Sequence, residues 1–369
     1  MNRIKELDGI RGIAIFLVLI WHYIVVPIPS TIVEAPFGIL IKFLALTWSG
    51  VDLFFVLSGF LIVGILLDAK GSNNYFYTFY IRRALRILPL YSVILILFVV
   101  LPNWISNDWL FAPSLPLWSY FTFTQNFFMH SHWFGPNWLA ITWSLAVEEQ
   151  FYLVLPFLVH KLSRKKLAYV FLSLICLAPI FRLIFNNLGA YVFPFARADS
   201  ILMGGLIAIL NRSPKGKIVL IENYQYLIGI FLIFLFGAGV ITLDIPEIGN
   251  AFVHFWLAVL YSLFILICTL QPSKMAVSLV SNRFFIWLGL RSYGIYLLHQ
   301  PINGLTHQYL NGNTKPSFSN LHEFIATLIA FIITFVFAEM SFRFFESFFL
   351  AYGKKFSYEI HQPLEIGKT

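Results

Sequence analysis

An arginine and a histidine lie eleven residues apart in an otherwise apolar stretch near the start of the chain, DGIRGIAIFLVLIWHY. Eleven residues of α-helix make three turns and about 20° more, so Arg11 and His22 are predicted to project from one face. Their separation along the helix axis is about 16 Å. An arginine can bind an anionic group, and a histidine can accept a proton or act as a nucleophile. One elongated ligand could therefore contact both side chains.

A second basic cluster, Arg82, Arg83 and Arg86, occurs in the stretch YIRRALRILPLY. The three residues span little more than one helical turn, and Arg82 and Arg86 are predicted to share a face. Such a cluster can simply mark the cytoplasmic end of a membrane helix. Guanidinium groups also bind phosphates through paired hydrogen bonds, and Arg11 is predicted on the same side of the membrane. The cluster is therefore a candidate phosphate site.

Two consecutive glutamates, Glu148 and Glu149, lie in the apolar stretch TWSLAVEEQFYLVLP. They project about 100° apart on a helix, so only one is expected to face an interior cavity. Glu148 shares a polar stripe with Ser144 and Tyr152, whereas Glu149 has leucines above and below it. Glu148 is therefore the stronger candidate for acid–base or charge-balancing chemistry.

Further polar residues are predicted at membrane depth, near the level of His22. They are Asp52, Arg197, Asp199 and His299. A charged residue at the centre of a membrane helix costs about 3 kcal/mol, and it usually faces the bundle interior or a wet cavity. Asp199 and Arg197 could form a second acid–base pair or a structural ion pair, and the sequence leaves both interpretations open.

The composition requires a membrane environment for these residues. The chain of 369 residues is 59% hydrophobic, and its mean hydropathy is +0.80. Only 11% of its residues are charged, against about 25% in soluble domains. We predict an all-α, polytopic bundle of about ten transmembrane helices. The apolar segments fall near 10–28, 39–67, 87–102, 138–159, 167–186, 194–210, 224–243, 251–270, 284–303 and 322–346.

Most of the 25 lysines and arginines fall in segments on one side of this arrangement, which predicts that both termini are cytoplasmic. The net charge of +8 is attributed to this asymmetry, and no nucleic-acid-binding element is visible. The second apolar segment is long enough to tilt or to begin with an irregular turn at WSGVD. The loop near 103–137 holds four tryptophans, which suit an interfacial belt or a stacking platform for a sugar. It also holds His130 and His132, but the pair lacks a third ligand, so no metal site is predicted.

Six motifs, in order along nearly the whole chain, resemble those of the acyltransferase 3 family of integral membrane proteins. They are LDGIRGIAIFLVLIWH, GVDLFFVLSGFLI, FYIRRALRILPLY, TWSLAVEEQFYLVLP, RADSILMGG and SYGIYLLHQP. The resemblance implies transfer of an acyl group, often acetyl, from cytoplasmic acyl-CoA to a hydroxyl of a glycan or lipid-linked sugar. It implies donor binding by the basic residues Arg11, Arg82, Arg83 and Arg86. Catalysis would fall to His22, with Glu148, Glu149 and Asp199 as acidic candidates.

The same resemblance implies a multi-pass protein of the cytoplasmic (inner) membrane, with acyl-CoA as a donor substrate and no bound cofactor. Residues 1–350 would form the acyltransferase domain and residues 351–369 a short cytoplasmic tail. Two alternatives remain open. The acceptor could be a small molecule such as a macrolide, or the intramembrane charges could serve a proton-coupled transporter. A transporter predicts inverted repeats, and no such symmetry is visible in the sequence.

Overall fold

The computed structural model describes residues 4–29, 38–113, 115–185, 188–241, 247–270 and 278–359, and in this part the fold is all-helical, without strands. Ten described helices have 14 residues or more. They are α1 (Lys5–Ile20), α2 (Gly50–Asp68), α3 (Tyr75–Val100), α4 (Thr142–Lys161), α5 (Arg164–Phe185), α6 (Ala198–Asn211), α7 (Tyr224–Ile241), α8 (Glu247–Leu270), α9 (Arg283–Asn311) and α10 (Leu321–Ser341). Each overlaps one of the ten apolar segments predicted from the sequence.

Fewer helices meet the length and hydropathy criteria for a membrane span than the ten helices described. Among the described residues, six helices are long and apolar enough to cross a membrane, and α1, α2, α3, α5, α8 and α10 supply them. A seventh span results if Pro214–Glu222 and Tyr224–Val240, which meet at 72°, count as one. The count of ten spans and the cytoplasmic termini are therefore not confirmed. The chain is nevertheless a multi-pass membrane protein by this count alone.

Two helices change their hydrogen-bond pattern where functional candidates lie. α1 continues as a π-helix over Trp21–Val25, which contains His22. α2 is preceded by a helix at Gly38–Ala45 and a 3₁₀ turn at Leu46–Ser49. The irregular turn predicted at WSGVD is thus confirmed. Such local departures from α-helical geometry are frequent at functional sites.

Close helix contacts through glycine form the centre of the bundle. α2 packs against α6, and a Cβ at Gly204 would lie 1.9 Å from the carbonyl oxygen of Val56. α1 packs against α9 in the same way, since a Cβ at Gly289 would lie 1.8 Å from the Asp8 carbonyl oxygen. Small residues let membrane helices approach this closely. The α1–α9 contact fixes the relative position of the segments that carry Arg11, His22 and His299.

The loop between α3 and α4 contains short helices at Asp108–Phe111, Leu117–Phe121 and Gln125–Met129. Three of its tryptophans are largely exposed: Trp104, Trp118 and Trp133. Whether they anchor the loop at the bilayer or stack on a sugar stays a prediction.

The C-terminal segment is held by Asn74, whose side chain hydrogen-bonds the backbone of Ser357 and Glu359. Residues 360–369 of the predicted tail lie outside the described residues, and the domain boundary at 350 stays a prediction.

Candidate active site

A cavity lies between α1, α2, α3, α4 and α9. Its volume, measured as the space open to the centre of a water molecule, is about 130 Å³. A single water needs roughly 10–15 Å³ on this measure, so the cavity can hold part of an extended ligand. On α2 its lining runs from Val51 to Ile62, a length of about 16 Å. The polar residues that line it are Arg11, Ser58, Arg83, Arg86, Ser144, Glu148, Tyr152, Ser292, Tyr293 and Tyr296.

Arginines dominate the charge of this cavity. Arg11, Arg83 and Arg86 face a single lining carboxylate, Glu148. Arg11 forms an ion pair with Asp8 at 3.1 Å. Within the described part of the chain, neither Arg83 nor Arg86 has an ion pair, because no carboxylate oxygen lies within 4.0 Å. The cavity therefore suits an anionic ligand.

The fourth cationic candidate, Arg82, does not line the cavity. Its guanidinium lies 5.4 Å from the ring centre of Tyr358. The sequence pattern paired Arg82 with Arg86, but the structure turns Arg83 toward the cavity beside Arg86. Because i,i+3 and i,i+4 neighbours are nearly equivalent on a helix, only the packing of α3 decides between them. The donor-binding role of Arg82 stays a prediction that this geometry does not support.

The polar stripe predicted on α4 does line the cavity, as Ser144, Glu148 and Tyr152 all face it. Glu149 is not among the lining residues, and its Oε1 is buried without a hydrogen-bond partner in the described part of the chain. Glu148 thus faces the cavity and Glu149 does not, while the ranking of the two glutamates stays a prediction. Their chemical roles are not tested by the geometry.

Tyr152 contacts Arg83 and Ser58, of which sequence reasoning did not single out Ser58. Its hydroxyl hydrogen-bonds Ser58 of α2, and its ring lies under the Arg83 guanidinium at 3.8 Å. A cation stacked on an aromatic ring in this way is stabilised and loses freedom of movement. Tyr152 thus orients a cavity arginine. The available signal for Ser58 was a lone polar residue in the apolar motif LSGF.

His22 and His299 contact each other beside the cavity, in a neighbouring part of the helix bundle. Nδ1 of His22 lies 3.3 Å from Nε2 of His299, and the ring centres are 4.9 Å apart. His299 is fully buried, and His22 is half-buried. Tyr23 ties the same two segments together, because its hydroxyl donates to the His299 carbonyl oxygen at 2.9 Å.

His22 does not line the cavity, although Arg11 does. The helix is regular from Lys5 to Ile20, and the π-helical segment at Trp21–Val25 begins just before His22, so the shared face of Arg11 and His22 stays a prediction. Tyr296 lies between the cavity and the histidines: its side chain lines the cavity, and its ring centre is 5.9 Å from that of His299. The Tyr296 hydroxyl also bonds Ser144 at 2.6 Å and the Ile141 carbonyl at 2.7 Å.

The remaining predicted residues form a separate buried network. Arg197 pairs with Asp52 at 2.7 Å, and Arg182 pairs with Asp199 at 2.7 Å. His254 joins the first pair through a contact with Asp52 at 3.2 Å. None of these residues lines the cavity. The arrangement favours the structural interpretation of Asp52, Arg197 and Asp199, whose site roles remain untested.

No group of three or more potential metal ligands occurs among the residues that the structure describes. His132 instead contacts the Phe128 carbonyl and the hydroxyl of Ser131 through Nδ1.

Comparison with known proteins identifies the family. A family model described as an acyltransferase domain matches residues 4–339. The chain belongs to this acyltransferase family. The match covers every helix that contributes to the cavity and to the His22–His299 contact.

The similar curated proteins are named for acetyl transfer to oxygen. One is a putative O-acetyltransferase of Staphylococcus aureus (strain COL), 28% identical over 96% of this chain and 58% of its own length. Another is the peptidoglycan O-acetyltransferase OatA of Listeria monocytogenes, 27% identical over 99% of this chain and 60% of its own length. The chain thus spans about three fifths of these relatives. No solved structure matches it.

Proposed function

We propose that the chain is a membrane O-acetyltransferase that binds an acyl-CoA in the cavity and passes the acyl group to a hydroxyl of a glycan or lipid-linked sugar. The observation that carries the proposal is the meeting of Arg11, Arg83 and Arg86 with Glu148 around one cavity. Coenzyme A has phosphates at one end and a reactive thioester at the other. Arginines suit the phosphates, and two of these three have no carboxylate partner among the described residues.

The acceptor hydroxyl needs a base as it attacks the thioester carbonyl. His22 is the proposed base, and Glu148 is proposed to balance charge in the cavity. His22 does not line the cavity either, but Tyr296 connects the cavity with the His22–His299 contact. Glu149 stays a weaker candidate because it lies outside the polar stripe of α4 that lines the cavity. Asp199 is not carried forward as a catalytic residue, since Arg182 already occupies its carboxylate.

The proposed orientation follows the distribution of lysine and arginine. It places both termini and the arginine-lined end of the cavity on the cytoplasmic side, where acyl-CoA is available. The membrane would then be the cytoplasmic, inner membrane. A cell-wall glycan is the favoured acceptor because relatives are named for peptidoglycan, as in Listeria monocytogenes and, with the qualifier putative, in Bacillus subtilis.

The test has a donor arm and an acceptor arm. Purified protein in nanodiscs should bind acetyl-CoA more tightly than dephospho-acetyl-CoA, because the latter lacks one phosphate for the arginines. Cells that carry the gene should show more O-acetyl groups on muropeptides or glycolipids than cells in which Glu148 is changed to Gln. A chain that binds no acyl-CoA and changes no O-acetyl level would refute the proposal. O-acetylation confined to an added macrolide would replace the glycan by a small-molecule acceptor.

A further inference from the structure

The other hydrogen-bond partners of His22 and His299 determine which ring donates and which ring accepts in the contact between them. Nδ1 of His299 lies 2.7 Å from the Tyr296 carbonyl and 3.2 Å from that of Ile295. A carbonyl oxygen can only accept, so Nδ1 of His299 carries a proton. His299 is fully buried and contacts no carboxylate among the described residues, which favours the neutral ring. Its Nε2 is therefore an acceptor.

The same reasoning applies to His22. Its Nδ1 lies 3.0 Å from the Val18 carbonyl and 3.3 Å from Nε2 of His299. Both of these partners accept, so Nδ1 of His22 must be the donor. In the neutral ring the lone pair is then on Nε2, and this atom has no hydrogen bond to any described residue. His22 is also half-buried rather than enclosed, so Nε2 can meet a substrate.

We propose that His299 is a positioning residue that holds His22 in the tautomer with a free Nε2, so that Nε2 is the base for acyl transfer. This inference rests on the proposed function and adds to it a partner for the base. A general base is commonly oriented by a third group through its other ring nitrogen. Here a buried neutral imidazole takes the place that a carboxylate holds in the serine protease triad.

The reaction balances with this assignment. The acceptor hydroxyl oxygen attacks the thioester carbonyl carbon while Nε2 of His22 takes its proton. A carbon–oxygen bond forms, the carbon–sulfur bond breaks, and the proton passes from Nε2 to the sulfur, which leaves as the CoA thiol. Throughout, Nδ1–H stays hydrogen-bonded to Val18 and His299. The imidazolium formed in between is stabilised by these two acceptors.

Three variants separate positioning from packing. His299→Phe keeps a ring of similar size and removes the acceptor, whereas His299→Gln retains an oxygen acceptor. The control is His307→Phe, which alters another fully buried histidine of α9 that contacts Thr327. We expect His299→Phe to lower kcat about 10- to 100-fold, because loss of an orienting carboxylate can cost up to about 10⁴ and this partner is uncharged. KM for acetyl-CoA should not change, since His299 does not line the cavity. His299→Gln should recover at least part of kcat, and His307→Phe should retain it.

A second measurement does not depend on acyl transfer. Diethyl pyrocarbonate modifies unprotonated imidazole nitrogens, and mass spectrometry can follow its addition to His22 in each purified variant. His299→Phe should slow this labelling several-fold, and His299→Gln should restore it. If kcat and His22 labelling were the same in His299→Phe as in the wild type, the positioning role would be refuted while the proposed function stood. If the wild type transferred no acyl group but labelling followed the expected order, the proposed function would fail and the geometry would stand.

Discussion

Asp52 and Arg197 form an ion pair whose two side chains are both fully buried, at a distance of 2.7 Å. Asp52→Asn removes the negative charge and keeps the shape, which leaves the Arg197 guanidinium charged in an apolar interior. Breaking a buried pair by removing one partner costs about 3–5 kcal/mol. Ser200 and His254 also contact the same Asp52 oxygen. We therefore expect a loss of stability at the upper part of this range.

The chain offers a matched control at the surface. Asp68 pairs with Arg212, also at 2.7 Å, but the side chains are 42% and 18% exposed. Water and salt screen such a pair, and its contribution is at most about 1 kcal/mol. Asp68→Asn should therefore lower stability several times less than Asp52→Asn, although the bond length and the substitution are the same. A double variant, Asp52→Asn with Arg197→Met, should recover much of the loss because no unpaired charge remains.

Thermal unfolding of the purified variants in one detergent, followed by tryptophan fluorescence, measures the ranking. The expected order of melting temperature is wild type and Asp68→Asn highest, the double variant intermediate, and Asp52→Asn lowest. Activity per folded molecule should change little, since neither Asp52 nor Arg197 lines the cavity. Equal melting temperatures for Asp52→Asn and Asp68→Asn would refute the structural role. A stable Asp52→Asn variant without activity would instead give Asp52 a role in the reaction.

Three further predictions concern the site itself. His22→Ala should lower acyl transfer by about 10²–10⁴-fold at normal protein level, as measured by acetyl release from acetyl-CoA. Glu148→Gln should reduce kcat by roughly 10²-fold, and its neighbour Glu149→Gln should reduce it much less; the reverse order would show that the cavity faces the other side of α4. Arg86→Ala should weaken acetyl-CoA binding by about 10- to 100-fold and Arg86→Lys by less, because lysine keeps the charge but loses the paired hydrogen bonds. Unchanged donor affinity in both Arg86 variants would leave this arginine as a topology signal only.

The sequence located the helices well because a spanning apolar run is a local property. Each of the ten predicted segments overlaps one of the ten longer helices in the described part of the chain. The sequence was less informative about the number of membrane spans. α4, α6 and α9 fall outside the helices that meet the length and hydropathy criteria. α6 has only 14 residues, and α4 and α9 carry the polar residues of the site, which lower their hydropathy.

The candidate site was predictable where it depended on one regular helix. Ser144, Glu148 and Tyr152 repeat at a spacing of four residues, and all three line the cavity. The shared face of Arg11 and His22 stays a prediction, and the π-helical segment that contains His22 could not be deduced from an apolar pattern. The partner His299 lies 277 residues away, and the sequence could place it only at a similar depth. Tyr296, which separates cavity and histidines, was missed because its position depends on how α4 and α9 pack.

Several charges of this bundle form buried ion pairs away from the cavity. Two ion pairs, Asp52 with Arg197 and Arg182 with Asp199, lie outside the cavity. Arg291 is likewise paired, with Glu339, and does not line it either.

By contrast, Arg83 and Arg86 face the cavity without a carboxylate within ion-pair distance in the described part of the chain. A buried cation without an ion-pair partner does not stabilise a protein, because burying a charge without such a partner costs free energy. An anionic ligand in the cavity would supply the missing charge. Binding of a CoA-like phosphate should therefore stabilise the protein against heat, and this stabilisation should disappear when both Arg83 and Arg86 are changed to glutamine. If the double variant were stabilised as strongly as the wild type, the phosphates would be bound elsewhere.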